Sequence, residues 1–458
     1  MFLDLFFLAF VGAFVFAGIK RPFLLVLAYT YIDIVAPQKI SYGFLGAIPI
    51  SLVTFTLAFG AWFVIDQKRG ARFSFRQGLL LLLLVYCGLT TLAADFPVEA
   101  ADKWSWVWKA LLFAMFLPLT LRTRLRFEAL ALVMVLSIGV IVIGGGIKTL
   151  AGGGGYQTLK LLVNDNNGLY EGSIISCVGM AVIPLTIWLV QHGTIFPKSR
   201  LVTLFAAGLC FACLLMPIGT QARTGLICAA VLAVLSLRTV KNRALYLGAL
   251  GAASLIALPL LPSSFTQRMS TIENHSSDQS ASTRIAVWGW TLEYAKQHPF
   301  GGGFEVYRQN ELVYNTVAES RAGDNNIALE SERIVEKGRA FHSSYFEMLG
   351  EQGYPGLVIW LLLHGLGVWQ MEILRRRYAR RKEEALAWIA PLANALQQAQ
   401  IVYLVGSLFV GIAYQPFCYM LVGLQCGLWS YVRRIQRLPV ARPPVPAAAA
   451  QRRPLPAA

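Results

Sequence analysis

The sequence predicts an all-α polytopic membrane protein, with about twelve transmembrane helices and one large helical loop between two late spans. Composition gives the first indication. Hydrophobic residues make up 56% of the 458-residue chain, charged residues make up 14%, and the mean hydropathy is +0.56. A soluble domain carries about 25% charged residues. The apolar runs also approach the ~20 residues that cross a bilayer, and they do not alternate as transmembrane β-strands do.

The apolar runs follow one another along most of the chain. The runs interpreted as helices are residues 3–19, 22–35, 44–65, 78–94, 104–121, 127–150, 169–190, 201–216, 226–237, 244–261, 357–374 and 399–432. The first is interpreted as a retained helix, because Lys20-Arg21 follow it in place of a small-residue cleavage site. The last is too long for one crossing at about 1.5 Å per residue, so a break is expected at Tyr414-Gln415-Pro416.

Charge is divided unevenly between the linkers and one polar segment. The net charge is +16, from 40 Lys and Arg against 24 Asp and Glu. Residues 263–354 hold 12 acidic and 8 basic side chains, so the rest of the chain is strongly basic. Those basic residues cluster in short linkers, which predicts that the linkers face the cytoplasm and that the polar segment faces outward. Nucleic-acid binding is disfavoured, because no basic patch lies on a soluble domain.

These patterns predict five parts. They are N-terminal transmembrane helices (1–150), core transmembrane helices (151–262), a large outward-facing polar loop (263–354), C-terminal transmembrane helices (355–438) and a disordered cytoplasmic tail (439–458). Within the loop, a helix is expected over 285–297, with a glycine-rich break at 298–304. The acidic stretch 311–331 is weakly periodic and compatible with a mobile lid. An amphipathic helix is expected to run from His342 toward Gly353.

His342 is the candidate catalytic residue of this loop. A lone histidine is more often structural, but His342 lies in an outward segment beside the membrane. Arg339, Ser343 and Glu347 are close to it in sequence. Because the free imidazole has a pKa of about 6.5, it can accept a proton from a hydroxyl group at neutral pH.

Arg223 lies beside an apolar run on the side predicted to face outward. A cation there opposes the positive-inside trend and commonly has a functional partner. It can equally be an interfacial arginine that extends toward lipid headgroups. The residues alone favour neither interpretation.

No metal or cofactor is expected. The outward loop contains no H-E-x-x-H, no D-x-D and no pair of histidines at ligand spacing. A serine triad built on Ser343 or Ser344 is disfavoured, because the chain has no G-x-S-x-G elbow. If a phosphate group leaves in the reaction, arginines must stabilise it, and their planar guanidinium groups bind phosphate oxygens in pairs.

Four short elements, taken together, resemble the O-antigen ligase and O-antigen polymerase superfamily of bacterial envelope enzymes. They are Asp165-Asn166-Asn167, with Asn166 in place of the usual Pro; Gln221-Ala222-Arg223-Thr224-Gly225, with Ala222 in the Ser position; Arg284-Ile285-Ala286-Val287-Trp288 with the glycine-rich run 298–303; and Phe341-His342-Ser343-Ser344-Tyr345-Phe346-Glu347 with Gly353. These elements cover residues 164–354.

The resemblance implies a GT-C-like, metal-independent and inverting glycosyltransferase of the bacterial inner membrane, with its active site facing the periplasm. Its donor would be a glycan on undecaprenyl diphosphate, and its acceptor a sugar hydroxyl of lipid A-core. By the resemblance His342 activates the acceptor, while Arg223 and Arg284 bind the diphosphate. Arg339 is a further candidate for the diphosphate. Asn167 and Glu347 would be supporting residues.

Two relatives of this activity use the same donor, and the shared elements do not separate them. An O-antigen polymerase takes a second lipid-linked glycan as its acceptor. A protein O-oligosaccharyltransferase takes a Ser or Thr side chain. A non-enzymatic transporter is disfavoured, because most of the predicted span interiors carry no charge.

Overall fold

The computed structural model describes residues 2–40, 46, 48–68, 72–151, 168–257, 279–321, 327–381 and 383–437. The helices are α1 (Phe2–Lys20), α2 (Phe23–Val35), α3 (Pro37–Ile40), α4 (Ile50–Val64), α5 (Phe75–Leu92), α6 (Pro97–Thr120), α7 (Arg124–Ala151), α8 (Gly172–His192), α9 (Arg200–Gly219), α10 (Arg223–Ser236), α11 (Arg243–Ala257), α12 (Gln279–Gln297), α13 (Ser344–Tyr378), α14 (Ile389–Gly406) and α15 (Pro416–Arg437). The strands are β1 (Glu311–Arg321) and β2 (Ile327–Lys337).

The described residues are mostly helical and apolar, which confirms the main features of the predicted class, an all-α membrane protein. Among the described residues, five helices are long and apolar enough to cross a membrane: α5, α7, α8, α9 and α13. Three shorter apolar helices, α2, α4 and α10, accompany them. The count of about twelve spans stays a prediction, as do the five domain boundaries. The predicted tail, residues 439–458, lies outside the described residues.

Several helices begin at side chains that cap the first turn. The Ser74 hydroxyl accepts a hydrogen bond from the Gln77 N–H, and the Gln77 side chain accepts one from the Ser74 N–H, which makes a capping box before α5. The Glu171 carboxylate accepts from the Ile174 N–H at the start of α8. These bonds satisfy backbone donors that the first helical turn leaves unpaired, so they set where the helices begin.

Two buried clusters hold the helices together. The larger one joins both ends of the chain and includes Tyr29 on α2, Phe127 on α7 and Phe417 on α15. The second includes Leu83 on α5 and Trp360 on α13, together with buried residues of α6. Within a membrane, close packing of such side chains rather than their removal from water favours helix association. Helix α6 packs mainly against α15 and α5.

The predicted helical loop is wrong over its acidic stretch. Residues 311–321 and 327–337 form an antiparallel two-stranded hairpin, with Glu311 opposite Lys337 and Arg321 opposite Ile327. The sequence between the strands is rich in Gly, Asp and Asn, which are turn-forming residues, and the first strand contains Val, Tyr and Thr. Such residues favour a hairpin over a helix.

The other breaks follow the prediction. Helix α12 ends at Gln297, directly before the glycine-rich turn, and the long C-terminal stretch is interrupted between α14 and α15, where Pro416 begins α15. The α13 helix begins two residues after His342. It contains a kink at Gly353, where φ is +62°.

Glycines fix the turn after α12 against α13. The Gly302 N–H donates to the Gly350 carbonyl at 3.1 Å, and the Gly303 N–H donates to the Glu351 carbonyl at 2.9 Å. Gly301 has a φ of +84°, and a Cβ there would collide with the Glu351 carbonyl. Only a residue without a side chain allows this close approach. The turn therefore positions the first part of α13.

Candidate active site

A cavity of about 910 Å³ brings together residues from distant parts of the chain. Its walls come from the end of α2, the first half of α6, residues 168–174, residues 305–308 after α12, residues 340–342 before α13, and residues 409–416 between α14 and α15. His342 and Arg284 both line it. We call residues 338–343 the strap. This segment connects β2 to α13, and residues 340–342 line the cavity.

The strap holds His342 in an unusual backbone conformation. The φ of His342 is +48°, a left-handed value that costs a non-glycine residue of order 1–3 kcal/mol. The indole of Trp288 donates to the Phe341 carbonyl at 2.9 Å. The same indole stacks on Phe346, with ring centroids 4.9 Å apart. These contacts on either side of His342 hold the strained residue at the cavity.

The start of α13 is tied to the segment that follows α14. The Ser344 hydroxyl donates to the Val410 carbonyl at 2.9 Å and accepts from the Ile412 N–H at the same distance. The Ser344 N–H also donates to the Ser407 carbonyl. Ser344 is therefore a fully bonded structural residue, and its hydroxyl is not free to act as a nucleophile.

Burial and nearby positive charge both lower the pKa of the His342 imidazole. Loss of hydration in the cavity wall lowers the pKa of His342 below its ordinary value, and the nearby cations Arg284 and Arg339 lower it further. Each of these effects disfavours the imidazolium ion. The side chain is nevertheless exposed to the cavity. At neutral pH the residue is thus an accessible, unprotonated base.

The three predicted arginines occupy different positions. Arg284, on α12, lines the cavity. Arg339 lies on the strap near His342, and its guanidinium forms an ion pair with Glu336 at 2.8 Å. Arg223 begins α10 and is not among the lining residues that the structure describes, although Thr220, three residues earlier, is. Of these three arginines only Arg284 is among the described lining residues, and both Arg284 and Arg339 are close enough to lower the pKa of His342.

Glu347 has a partner that the sequence did not reveal. The Lys103 ammonium, on α6, donates to Glu347 and to Glu351 at 2.8 Å each, and it lies 4.0 Å from Glu305. These side chains are almost completely buried, with exposed fractions of 12% for Lys103, 9% for Glu347 and 0% for Glu351. Lys103 therefore supplies one positive charge among three carboxylates that line the cavity.

Backbone donors also bind these carboxylates. The Ala413 N–H donates to Glu347 at 3.0 Å, and the Glu305 N–H donates to Glu351 at 3.0 Å. Glu305 is itself a left-handed residue, with φ of +65°. Within the described part of the chain, no group of three His, Cys, Asp or Glu side chains is arranged to hold a metal ion. A lysine ammonium stands at the centre of the acidic group instead.

Sequence reasoning also did not predict that α6 lines this cavity. Glu99, Asp102, Trp106 and Lys109 on α6 line the same cavity. Their spacing of three, four and three residues puts them on one face of a helix, which was the available signal. The predicted supporting residue Asn167 lies outside the described residues, together with the rest of Asp165-Asn166-Asn167.

Comparison with protein families defines the class to which this site belongs. Residues 208–361 match a family of ligases of the glycosyltransferase kind, and they include the four predicted site residues Arg223, Arg284, Arg339 and His342. The family is described as O-antigen ligase, and the match supports an O-antigen ligase-like family for this part of the chain. Residues 2–194 match a family of unknown function, DUF5935. A search of curated proteins gives no match.

Proposed function

We propose that the protein is an O-antigen ligase, which transfers a polysaccharide from undecaprenyl diphosphate to a sugar hydroxyl of lipid A-core. The reaction would take place at the periplasmic face of the bacterial inner membrane. One observation carries the proposal: a neutral, accessible imidazole and a cavity-lining guanidinium lie together within the region that matches the O-antigen ligase family.

The proposed reaction needs a base and a group that stabilises the leaving diphosphate. His342 accepts the proton of the acceptor hydroxyl as its oxygen forms a bond to the anomeric carbon of the donor. The bond between that carbon and the diphosphate oxygen breaks at the same time, and the electron pair leaves with undecaprenyl diphosphate. Because attack and departure occur on opposite faces, the anomeric configuration inverts.

Arginines stabilise the negative charge that develops on the leaving group. Arg284 is the principal candidate, because it lines the cavity beside His342. Arg339 and Arg223 complete the proposed set, with Arg223 acting from the start of α10. Fixed cations at a developing anion lower the barrier most effectively in a site that excludes bulk water.

Supporting roles are proposed for Glu347 and Asn167. Glu347 joins Lys103 to the Ala413 backbone, so it anchors the first turn of α13 that follows His342. We propose no metal or other cofactor, since arginines supply the charge that a metal would supply. Treatment with a chelator should leave transfer unchanged, and loss of transfer that a divalent cation restores would contradict this point.

The decisive experiment is transfer in vitro from a lipid-linked glycan to purified rough lipopolysaccharide. The wild-type protein should form a ligated product, and His342→Asn should form none. Asparagine tolerates left-handed backbone, so this variant removes the base without adding strain. The matched control is His298→Asn, an exposed histidine of the same loop outside the cavity lining. Full activity in His342→Asn would overturn the catalytic assignment.

The same assay separates the alternative acceptors. Long glycan chains that form from the donor alone, without a product on lipopolysaccharide, would indicate an O-antigen polymerase. Transfer to a Ser- or Thr-containing protein, again without product on lipopolysaccharide, would indicate a protein O-oligosaccharyltransferase. Either result leaves the role of His342 intact but replaces the proposed acceptor.

A further inference from the structure

The α6 helix presents a mixed polar and aromatic face to the cavity. Glu99, Asp102, Trp106 and Lys109 all line it, at the spacing of one helical face. They belong to the part of the chain that matches the family of unknown function. This face lies across the same cavity that His342 and Arg284 line, so it contributes to the site without carrying any element of the ligase resemblance.

Trp106 differs from the tryptophans on either side of it. Trp104 stacks on Phe304, with ring centroids 6.3 Å apart, and Trp108 packs edge-on against Phe55 at 5.7 Å. Both therefore serve the packing of the protein. Trp106 instead lines the cavity and leaves 40% of its surface exposed. A large aromatic ring left open in a polar cavity offers a flat apolar surface for a ligand.

Hydrogen-bond acceptors line the same cavity as this ring. Asp102 is exposed to the cavity one helical turn before Trp106. At the cavity floor, Glu351 is fully buried, and its Oε1 accepts from Lys103 and from the Glu305 backbone. Its Oε2 has no hydrogen-bond partner within the described residues. A buried carboxylate oxygen without a donor is costly, which points to a ligand that supplies one.

The charge of the cavity limits what that ligand can be. Among its described lining residues are seven acidic side chains and four Lys or Arg, and Arg284 beside His342 is one of the four. The α6 residues that line the cavity include two acids, Glu99 and Asp102, and two lysines, Lys103 and Lys109, so this face has no excess of positive charge for a phosphate group. An uncharged hydroxyl group can donate to the carboxylates.

We propose that the α6 face, with Trp106 as its platform, is the acceptor subsite and takes an uncharged sugar ring. The apolar C–H face of the ring packs on the indole, and its hydroxyl groups donate to the carboxylates around it. One hydroxyl is then directed across the cavity to His342. The proposal rests on the function proposed above, and it assigns a role to the region of unknown function.

The test is steady-state transfer from a lipid-linked glycan to rough lipopolysaccharide, with each substrate varied in turn. Trp106→Ala should raise the KM for rough lipopolysaccharide about tenfold, the loss expected for one aromatic contact. The KM for the donor should stay the same. Trp106→Phe should restore most of the acceptor affinity. Trp369→Ala is the matched control, because Trp369 is 61% exposed on α13 and does not line the cavity.

Competition tests the chemical class of the ligand. Methyl glucoside should compete with rough lipopolysaccharide in the wild-type protein and much less in Trp106→Ala, whereas glucose 6-phosphate should compete weakly in both. Stronger competition by the phosphate, or an increase in donor KM in Trp106→Ala, would overturn the subsite. An unchanged acceptor KM in Trp106→Ala would do the same. The catalytic proposal is tested separately, because its failure would be seen as retained activity in His342→Asn.

Discussion

The two walls of the cavity are built differently. The strap wall carries His342 on irregular backbone, between a hairpin and a helix, with Arg284 and Arg339 nearby. The facing wall is a regular helix, α6, whose polar residues recur at helical spacing. The first wall has Arg284 and Arg339 close to His342, whereas α6 contributes two carboxylates, two lysines and Trp106. This contrast indicates that the proposed chemistry depends on a strained, fixed backbone, while acceptor binding depends on a helix face.

Lys103 joins the two walls, so its removal should have the largest effect. Lys103→Met would leave Glu347 and Glu351 buried without a cation, and breaking such a pair costs about 3–5 kcal/mol. We expect a clear fall in the thermal unfolding temperature of the purified protein.

Lys109→Met is the control for this variant. Lys109 lies on the same helix and donates to the Ser51 hydroxyl at 3.2 Å. It should cost much less stability. Adding Glu351→Gln to Lys103→Met should recover part of the loss, because it removes one of the unpaired charges. Equal stability of the Lys103 and Lys109 variants would contradict the joining role.

Substitution of Arg284 tests whether positive charge in the strap wall contributes to turnover. Arg284→Ala should lower kcat by about 10²–10³, the effect of removing one fixed group that stabilises a developing anion. Arg284→Lys should recover only part, because an ammonium group cannot form the paired bonds of a guanidinium. Lys296→Ala, which removes an exposed cation of the same helix, is the control. Normal turnover in Arg284→Ala would remove Arg284 from the diphosphate site.

Gly301 tests whether the strap wall depends on the glycine turn. Gly301→Ala places a Cβ against the Glu351 carbonyl at a φ of +84°, and such strain costs about 1–3 kcal/mol. We expect lower thermal stability and lower transfer together. Gly289→Ala is the control, because a Cβ there meets nothing within 4 Å and alanine favours the helix. Equal effects of the two substitutions would show that the turn is not a constraint.

The pH dependence should give the smallest effect. His342 must be neutral to accept a proton, and its lowered pKa places the acid limb of kcat/KM below the ordinary histidine value of about 6.5. Arg339→Gln removes one of the cations that lower this pKa. The acid limb should then move to higher pH, by less than about one unit. Lys337→Gln is the control, and an unchanged limb in Arg339→Gln would contradict the proposed coupling.

The sequence predicted the strap wall better than the α6 wall. His342, Arg284 and Glu347 belong to short elements whose order and spacing resemble a known family. The glycine-rich break after α12 was also predictable, since glycine runs rarely continue a helix. Each of these signals lies within a short stretch of sequence. The structure adds the contacts between those stretches.

The rest depended on contacts between distant parts of the chain. Lys103 is 244 residues from Glu347, and nothing in either segment indicates the ion pair. Trp106 lies between Trp104 and Trp108, and nothing in the sequence distinguishes it from them. The β1–β2 hairpin was missed because its acidic residues obscured the strand-forming ones. Tertiary packing decided the first two cases, whereas the hairpin pairs two segments that are close in sequence.

The most direct test of the account is the division of kinetic effects between the two walls. In one reconstituted preparation, kcat and the KM for rough lipopolysaccharide are measured for wild type, His342→Asn and Trp106→Ala. The account predicts that His342→Asn abolishes turnover at every acceptor concentration, while Trp106→Ala keeps kcat and raises the acceptor KM about tenfold. Substantial turnover in His342→Asn, or a loss of kcat without a change in KM in Trp106→Ala, would contradict it.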